Sequence, residues 1–452
     1  MRNNIWILFA AFLCPAAQAF SLNDPLSVQV PPRPCRLSEP EIFTLDDVVA
    51  HALCANPQTR EAWANARAQA AQVGIAESAY LPTLNATVNS SLNRNSSILS
   101  RLQGAGNAAY SQTATGFTLS QLLYDFGGRR AALDNAGLTL KALNETRDAV
   151  MQTVFLAAVQ GYYQLFASQA ALEASVEAER SSLESLAAAT TRSRVGTATP
   201  ADALQAKTAY RQAVLNRITA SGNEKAAQGT LANAMGYEAG REVRVAGPRD
   251  LSPDDAFPER VEALMEKAKR KRPDLLAARD QLDAAKADVR AAEATGMPNI
   301  AFTLNQNYTH SSIFNPYQST SAGLALNFPI FTGFNTTYRT RQAEARVEAS
   351  EAQVEKLSNQ ITLDVWRAYQ NLSTATETLK STEALLESAI QSEQVALGRY
   401  KAGVGTIVDL LGAQSALASA RQERVQAVYT WQIDKAALAQ AIGILNRIPE
   451  KK

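Results

Sequence analysis

The sequence repeats itself at an offset of 207 residues, and this repeat constrains the fold more than any short motif. The segment 195–202 (VGTATPAD) returns as 402–409 (AGVGTIVD), and 234–236 (AMG) returns as 441–443 (AIG). Such self-similarity indicates a duplicated structural unit. We therefore expect one elongated body with an internal two-fold repeat, although 452 residues would suffice for two or three ordinary domains.

The first 19 residues have the pattern of a secretory signal peptide. Arg2 provides a positive start, residues 5–13 an apolar core, and 17–19 (AQA) a cleavage site of small residues. The apolar run is too short to span a bilayer as a membrane anchor. Lipidation at Cys14 is an alternative, but Leu13 precedes it where a lipoprotein signal needs a small residue. We therefore expect an exported protein.

Two cysteines, Cys35 and Cys54, remain once the signal peptide is removed. In an oxidising exported compartment, a pair of cysteines more often forms a disulfide than stays reduced. The loop between them is short, so we expect the bridge to stabilise the fold by about 3 kcal/mol. Two buried thiols are the alternative.

Four segments have the two-residue periodicity of β-strands. They form two predicted hairpins, 82–124 and 298–331, which open at Pro82 and Pro298. Each strand has one apolar face and one face of small polar side chains, and the last strand is expected to continue through Phe328 to Ile330. Strands of about ten residues with this pattern are typical of the wall of a transmembrane β-barrel.

A long proline-free segment follows each hairpin, at 128–195 and 334–402, and is rich in strong helix formers. Each predicted helix would be about 100 Å long. The second helix carries a heptad-like seam, which requires neighbouring helices along its length. The seam comprises Val354, Ile361, Val365, Ala368, Leu372, Ala375, Leu379, Thr382, Leu386 and Ala389.

The long helices are expected to end in sharp turns at Gly196 and Gly403, where a residue that tolerates positive φ is favoured. Return helices are predicted at 199–236 and 406–443. Each begins with Thr followed three residues later by Asp, and this spacing predicts a capping box. The pairs are Thr199 with Asp202 and Thr406 with Asp409. The charged, proline-containing segment 237–272 is expected to be an irregular connector.

A sheet of four strands cannot close on itself, and open strand edges are not tolerated in lipid. Closed membrane barrels need at least eight strands, so at least two chains must contribute to one barrel. The same symmetry would gather the long helices into a hollow cylinder at one mouth of the barrel. The sequence therefore predicts a passive conduit built from several copies.

The duplicated unit, the strand pairs that begin at Pro82 and Pro298, and the segment 400–409 (YKAGVGTIVD) resemble the TolC family of outer-membrane efflux and secretion channels. The resemblance covers about residues 44–443. It implies a mostly helical homotrimer whose chains share a twelve-stranded barrel in the outer membrane of a Gram-negative bacterium. An α-helical barrel with an equatorial domain would continue it into the periplasm.

The resemblance also implies partners and a division of the chain. The partners are a periplasmic adaptor (membrane fusion) protein and an inner-membrane pump, either ABC-type or proton-driven, with outer-membrane lipid around the barrel. The two cysteines and the segment 56–60 (NPQTR) favour the branch that serves type I protein secretion. The implied segments are 1–19 (signal peptide), 20–56 (extended and equatorial), 57–236 (first repeat), 237–272 (equatorial connector), 273–443 (second repeat) and 444–452 (tail).

In this family the helix turns form the closed periplasmic aperture. Carried over to this chain, Asp202 and Tyr400 would form a contact that holds the inner and outer helix pairs together. Thr199 and Thr406 would lie beside it, and Asp409 would contribute a ring of carboxylates. Simple capping by the aspartates and simple packing by the tyrosine remain alternatives.

The tips of the turns are the implied adaptor contacts, namely Gly196, Thr197, Gly403 and Gly405. The sequence departs from the family pattern at two positions. Gly405 stands where some members have an arginine of the gating network, and Gly412 stands where they have a second acidic ring residue. We therefore expect weaker contacts holding the aperture closed and a constriction that is less selective for cations.

Other classes of function find little support in the sequence. The sequence has only two histidines, His51 and His310, so a histidine-based catalytic triad or zinc site is not indicated. The glycines at 127–128 and 333 lack the spacing and the lysine of a phosphate-binding loop. Basic and acidic side chains number 44 and 43, so no nucleic-acid surface is indicated. We therefore expect neither an enzyme nor a cofactor.

The serious alternative is a periplasmic coiled-coil scaffold or adaptor without a pore, which would not need four barrel strands. Two tryptophans, Trp366 and Trp431, are expected to pack between helices. Four aromatic residues are expected either in interfacial girdles or in sheet packing. They are Tyr124, Tyr308, Phe328 and Phe331.

Overall fold

The computed structural model describes residues 40–95, 108–247, 260–312 and 315–445. The predicted signal peptide and Cys35 lie outside this part of the chain. Cys54 is disulfide-bonded, and its pairing with Cys35 stays a prediction.

The described chain is mostly helical with one four-stranded sheet. A 22-residue helix, two strands, a 67-residue helix and a return helix follow one another twice. In chain order the elements are α1 (Leu45–Ala55), α2 (Pro57–Ser78), β1 (Thr83–Asn95), β2 (Ala108–Tyr124), α3 (Gly128–Arg194), α4 (Pro200–Ala234), α5 (Val261–Lys271), α6 (Pro273–Ala294), β3 (Asn299–Ser311), β4 (Tyr317–Asn327), α7 (Asn335–Lys401) and α8 (Ile407–Ile442).

Two compact units divide the chain. The first contains 66–142 and 279–352, and the second contains 40–65, 143–278 and 353–445 among the described residues. Among these residues, none of the helices combines the length and the apolar character needed to cross a membrane.

The sheet lies in the first unit, with the strands in the order β1-β2-β3-β4 and all neighbours antiparallel. The register places Leu84, Leu119 and Leu304 in one row across the sheet. The opposite face is polar, and the Thr118 hydroxyl donates a hydrogen bond to Asn305 Oδ1 at 2.9 Å. The predicted two-faced strands are therefore confirmed.

The last strand is shorter than the alternation predicted. β4 ends at Asn327, which pairs with Asn299, so Phe328 and Ile330 lie beyond the sheet. Pro329 follows directly and has no N–H to give to a ladder. The apolar alternation continued past the point at which the backbone could pair.

Buried alanines and two amide side chains lie between the helices of the first unit. The Gln69 side chain donates to the Ala136 carbonyl at 3.1 Å, and the Asn135 side chain donates to the Ala284 carbonyl at 3.0 Å. These side chains can reach the backbone of a neighbouring helix because the small methyl groups of alanine let the helices approach closely. The buried alanines are Ala66, Ala70, Ala131, Ala136, Ala142, Ala284, Ala287 and Ala343.

The core of the second unit uses the predicted seam of α7. All ten seam positions are buried or half-buried, and Ile361 and Val365 are fully buried among residues of α5, α6 and α8. Trp431 packs as predicted, and its indole N–H donates to the Thr376 hydroxyl at 3.1 Å. The prediction for Trp366 is wrong within this chain, because its side chain is 45% exposed. It is one residue past a seam position and points away from the core.

The segment 237–272 is not irregular throughout, because it contains helix α5. Leu264 and Ala268, four residues apart, are buried on one face of this helix. A spacing of four residues is typical of a helix, but a helix of 11 residues is too short for this periodicity to be clear in the sequence. Upstream, Val245 of the same segment forms a parallel bridge with Phe43.

Candidate functional site

The first candidate turn joins α3 to α4. Gly196 has a φ of +78°. Its N–H donates to the Ser193 carbonyl at 3.2 Å, and the Thr197 N–H donates to the Arg192 carbonyl at 2.9 Å. This pair of bonds satisfies two carbonyls that a helix end leaves open, and it reverses the chain within a few residues.

The second turn, between α7 and α8, has the same construction. Gly403 has a φ of +82°, and its N–H donates to the Tyr400 carbonyl at 3.1 Å. The N–H groups of Val404 and Gly405 both reach the Arg399 carbonyl, at 3.0 and 3.1 Å. A β-carbon at Gly405 would lie 3.0 Å from the Arg399 β-carbon, so a bare backbone lets this turn fold tightly.

Both predicted capping boxes are confirmed. The Thr199 N–H donates to Asp202 Oδ2 at 2.9 Å, and the Asp202 N–H donates to the Thr199 hydroxyl at 3.2 Å. Thr406 and Asp409 make the same two bonds, at 3.4 and 3.1 Å. Each aspartate is therefore fixed at a helix N-terminus, where the helix dipole favours a negative charge.

A small apolar cluster packs beneath the two turns. Tyr400 is 5% exposed and lies among Ala189 of α3, Ala206 of α4, and Ile407 and Leu410 of α8. One turn above, the Ser185 hydroxyl hydrogen-bonds to Gln414 Oε1 at 3.1 Å. Helices from both halves of the chain are therefore held side by side at this end.

The predicted contact between Asp202 and Tyr400 is wrong for this structure. The buried Tyr400 hydroxyl has no hydrogen-bond partner among the described residues. The Asp202 carboxylate instead binds the backbone of its own capping box. The alternative for the tyrosine, packing, is what the structure supports.

Arg192 joins the two turns and was not predicted from the sequence. Its guanidinium lies over the Tyr400 ring, 4.4 Å from the ring centre, and Nη2 donates to the Lys401 carbonyl at 3.1 Å. A cation over an aromatic face is attracted by the ring's electron density. The available signal was a basic residue in the last helical turn that recurs 207 residues later as Arg399.

A groove of about 770 Å³ runs between the ends of α7 and α8. Arg399, Gly405, Asp409 and Gly412 line it, so both positions that depart from the family pattern open into it. A β-carbon on Gly412 would meet no atom within 4 Å. The rest of its wall consists of five serines and alanines together with one glutamine and two valines, namely Ser388, Ser392, Ala396, Ala413, Ala416, Gln391, Val395 and Val408.

Exposed aromatic side chains collect near the ends of the strands. The four residues predicted for girdles or sheet packing are all at least half exposed. Phe126 and Phe334, at the junctions between strand and helix, add to them and were not predicted. Phe126 stacks edge-on against Tyr124 with ring centres 4.8 Å apart, and Phe334 stacks likewise against Phe331 at 5.6 Å.

The two histidines lie in different settings, one buried and one exposed. His51 is buried, its Nδ1 lies 3.0 Å from the Tyr237 hydroxyl, and its ring is edge-on to Phe43. His310 is exposed on β3. Among the described residues, no group of three or more His, Cys, Asp or Glu side chains is placed to hold a metal ion.

The sequence profile of the outer membrane efflux protein family matches residues 48–237 and 264–444. The chain belongs to this family. Protein CyaE of Bordetella pertussis is 31% identical over 92% of this chain and 87% of its own length. Outer membrane protein TolC of Vibrio cholerae serotype O1 is 28% identical over 86% of this chain and 88% of its own length.

The fold matches solved outer-membrane channels as well. The structure of the CmeC outer membrane channel of Campylobacter jejuni superposes with a TM-score of 0.81, at 17% identity, over 92% of this chain and 91% of that one. Membership of the family makes this protein an outer-membrane export channel that extends into the periplasm. The alternative of a pore-less periplasmic adaptor is not supported.

Proposed function

We propose that three copies of this chain close their sheets into one twelve-stranded barrel. The observation that carries the proposal is the sheet itself, which exposes apolar side chains and leaves β1 and β4 as open edges. Leu92 and Leu324 are 82% and 71% exposed. In lipid the apolar face is solvated, but the unpaired edges are not, so each edge needs a strand from another copy.

The polar face of the sheet would then line a water-filled lumen. Rows of Asn, Thr and Ser lie on that face, as the pair Thr118 and Asn305 illustrates. The exposed aromatic residues near the strand ends support an interfacial girdle rather than packing against the sheet. Tyr124, Phe328 and Phe331 are its proposed members, with Tyr308 in the sheet.

The chain itself acts as a passive duct and not as an enzyme. Export therefore needs energy from a partner, and we assign that role to an inner-membrane pump linked by a periplasmic adaptor. The adaptor is proposed to contact the tips of the turns, at Gly196, Thr197, Gly403 and Gly405. These residues lie in the two turns that join the long helices to the return helices. Three of them are half-exposed or exposed glycines, which have no side chain that would keep a partner protein at a distance.

The duct is proposed to be narrowest at the turns. Asp409, fixed by Thr406, would form a ring of carboxylates there, and Asp202 with Thr199 would hold the matching turn of the first repeat. The groove beside Asp409 carries no second carboxylate because position 412 is glycine. A constriction with one acidic ring should discriminate less strongly for cations than one with two.

Deletion of the gene tests the proposed function and separates two classes of cargo. Loss of a secreted protein from the medium, with drug tolerance unchanged, is expected for the type I secretion branch. Increased drug sensitivity with an unchanged secretome would assign the duct to drug efflux. If deletion changes neither the secreted proteins nor the drug sensitivity, and a plasmid-borne copy of the gene does not increase export, the proposed function as a duct is wrong.

A further inference from the structure

The two turns correspond residue by residue at the offset of 207. Arg192 corresponds to Arg399, Ser193 to Tyr400, and Arg194 to Lys401. Both arginines are in the last turn of a 67-residue helix. A contact made by one member of such a pair can therefore be made by the other, wherever an equivalent neighbour is present.

Within one chain, only one of the two arginines makes its contact. Arg192 donates to the Lys401 carbonyl at 3.1 Å and lies over the Tyr400 ring. The exposed Arg399 guanidinium makes no hydrogen bond or ion pair with the described residues. The Arg194 carbonyl, which corresponds to that of Lys401, likewise accepts no hydrogen bond from them. The Arg399 guanidinium and the Arg194 carbonyl are therefore a donor and an acceptor of the same kind as Arg192 and Lys401, and neither makes that bond within the described part of one chain.

We propose that the Arg399 guanidinium donates to the Arg194 carbonyl of the neighbouring copy. A repeat that contacts the next repeat head to tail closes into a ring when the rotation allows, and each interface then uses the same donor and acceptor. The ring would alternate contacts within a chain, from Arg192, with contacts between chains, from Arg399. The inference rests on the proposed ring of copies and names a contact that holds its tip closed.

The two kinds of contact differ in strength. Arg192 has the ring of Tyr400 beneath it, whereas Arg399 would meet Ser193 at the corresponding place. The contact between chains keeps the hydrogen bond and loses the attraction of a cation to an aromatic face. The tip should therefore open by separation of neighbouring copies, while the two repeats of each chain stay together.

Cross-linking of the intact assembly tests the contact directly. Arg194→Cys and Arg399→Cys are combined in one chain, and the purified oligomer is treated with a short bis-methanethiosulfonate reagent about as long as an arginine side chain. Denaturing gels should show a ladder of two and three linked chains. The matched pair Arg192→Cys with Lys401→Cys should link within single chains and give no ladder. An intact oligomer whose 194/399 pair gives no ladder would overturn the contact.

Conductance in planar bilayers provides a second readout. Arg399→Ala removes the donor and should raise the resting conductance at least twofold. Arg194→Ala removes a neighbouring positive charge but keeps the backbone carbonyl that accepts the bond, so it should not raise the conductance. If both variants behave like the unaltered channel, the inference is wrong while the ring stands. If the purified protein forms no oligomer at all, the proposed function itself is wrong.

Discussion

The α-carbon of Gly236 lies directly against the peptide that follows Ala55. A β-carbon on Gly236 would be 2.7 Å from the Ala55 carbonyl carbon, and the glycine has a φ of +81°. Gly443, its counterpart 207 residues later, lies in the same way against Arg272 and has a φ of +78°. Each return helix therefore ends on the peptide that leads into a proline-initiated helix, α2 or α6.

Gly236→Ala should destabilise the protein more than any ordinary helix substitution. A left-handed backbone costs a non-glycine residue about 1–2 kcal/mol, and the added methyl group would also meet backbone atoms that cannot move aside. We expect the midpoint of thermal unfolding to fall by several degrees. Circular dichroism of the detergent-purified protein measures it.

Gly222→Ala is the matched control for this prediction. Gly222 is in the interior of α4, and a β-carbon there would meet no atom within 4 Å. Alanine is favoured over glycine in a helix by about 1 kcal/mol, so this variant should unfold at the same or a higher temperature. Equal losses in the two variants would contradict the packing described for Gly236.

Arg272 joins two acidic residues at the start of α6. It donates to Asp274 at 2.6 and 3.0 Å and to Asp364 of α7 at 3.0 Å. Burial works to lower the pKa of Arg272, but hydrogen bonds and the charges of both carboxylates raise that pKa above its ordinary value. The arginine therefore stays charged at any pH at which the protein is folded.

Arg272→Met should leave both carboxylates without their cation and lower the stability by about 2 kcal/mol. Chemical denaturation followed by tryptophan fluorescence reports the loss. Arg270→Met removes an exposed arginine two residues away that has no carboxylate partner among the described residues, and it should change stability little. A comparable loss from the Arg270 variant would show that net charge, and not the contact with Asp364, matters.

Asp434 of α8 should make the stability depend on pH. Burial raises the pKa of this carboxyl above its ordinary value of 3.8. Because the folded pKa exceeds the unfolded one, the protonated form favours folding, and that contribution is lost as pH rises through the interval between the two values. Asp434→Asn should therefore raise the unfolding temperature at neutral pH and give no gain at about pH 3.5.

Glu423→Gln, at an exposed position of the same helix, is the control for Asp434→Asn. It makes the same exchange of carboxylate for amide without the burial. A gain from Asp434→Asn that persists unchanged at acidic pH would show that the effect is not one of protonation.

Gly412→Asp should make the channel more selective for cations. The position lines the groove beside Asp409 and has space for a side chain, so the variant would add a second carboxylate to each copy. Reversal potentials in a salt gradient measure the selectivity. Gly412→Asn adds nearly the same volume without charge and should leave the reversal potential unchanged. If both variants shift it equally, pore size and not charge is responsible.

The regular parts of this molecule could be predicted from local patterns. The glycine turns, the capping boxes and the α7 seam each depend on residues a few positions apart, and the structure confirms all three. Failures came where a single residue overrides a pattern. Pro329 ends pairing although the apolar alternation continues, and Trp366 is adjacent to the seam but faces away from it.

The contact between the turns could not be predicted in the same way. In the structure Asp202 Oδ2 accepts from the Thr199 N–H of its own capping box, and the Tyr400 hydroxyl has no hydrogen-bond partner among the described residues. The partner of that ring, Arg192, is 208 positions away in the sequence and acts partly through a backbone carbonyl. Contacts with backbone atoms leave no pairing signal in side-chain types, so the three-dimensional arrangement was needed to find this one.

The polypeptide mass of the folded, detergent-purified protein tests the shared barrel most directly. Light scattering coupled to size-exclusion chromatography, corrected for bound detergent, should give the mass of three chains for a particle that also inserts into lipid vesicles. A folded particle with the mass of one chain and no affinity for vesicles would contradict the account.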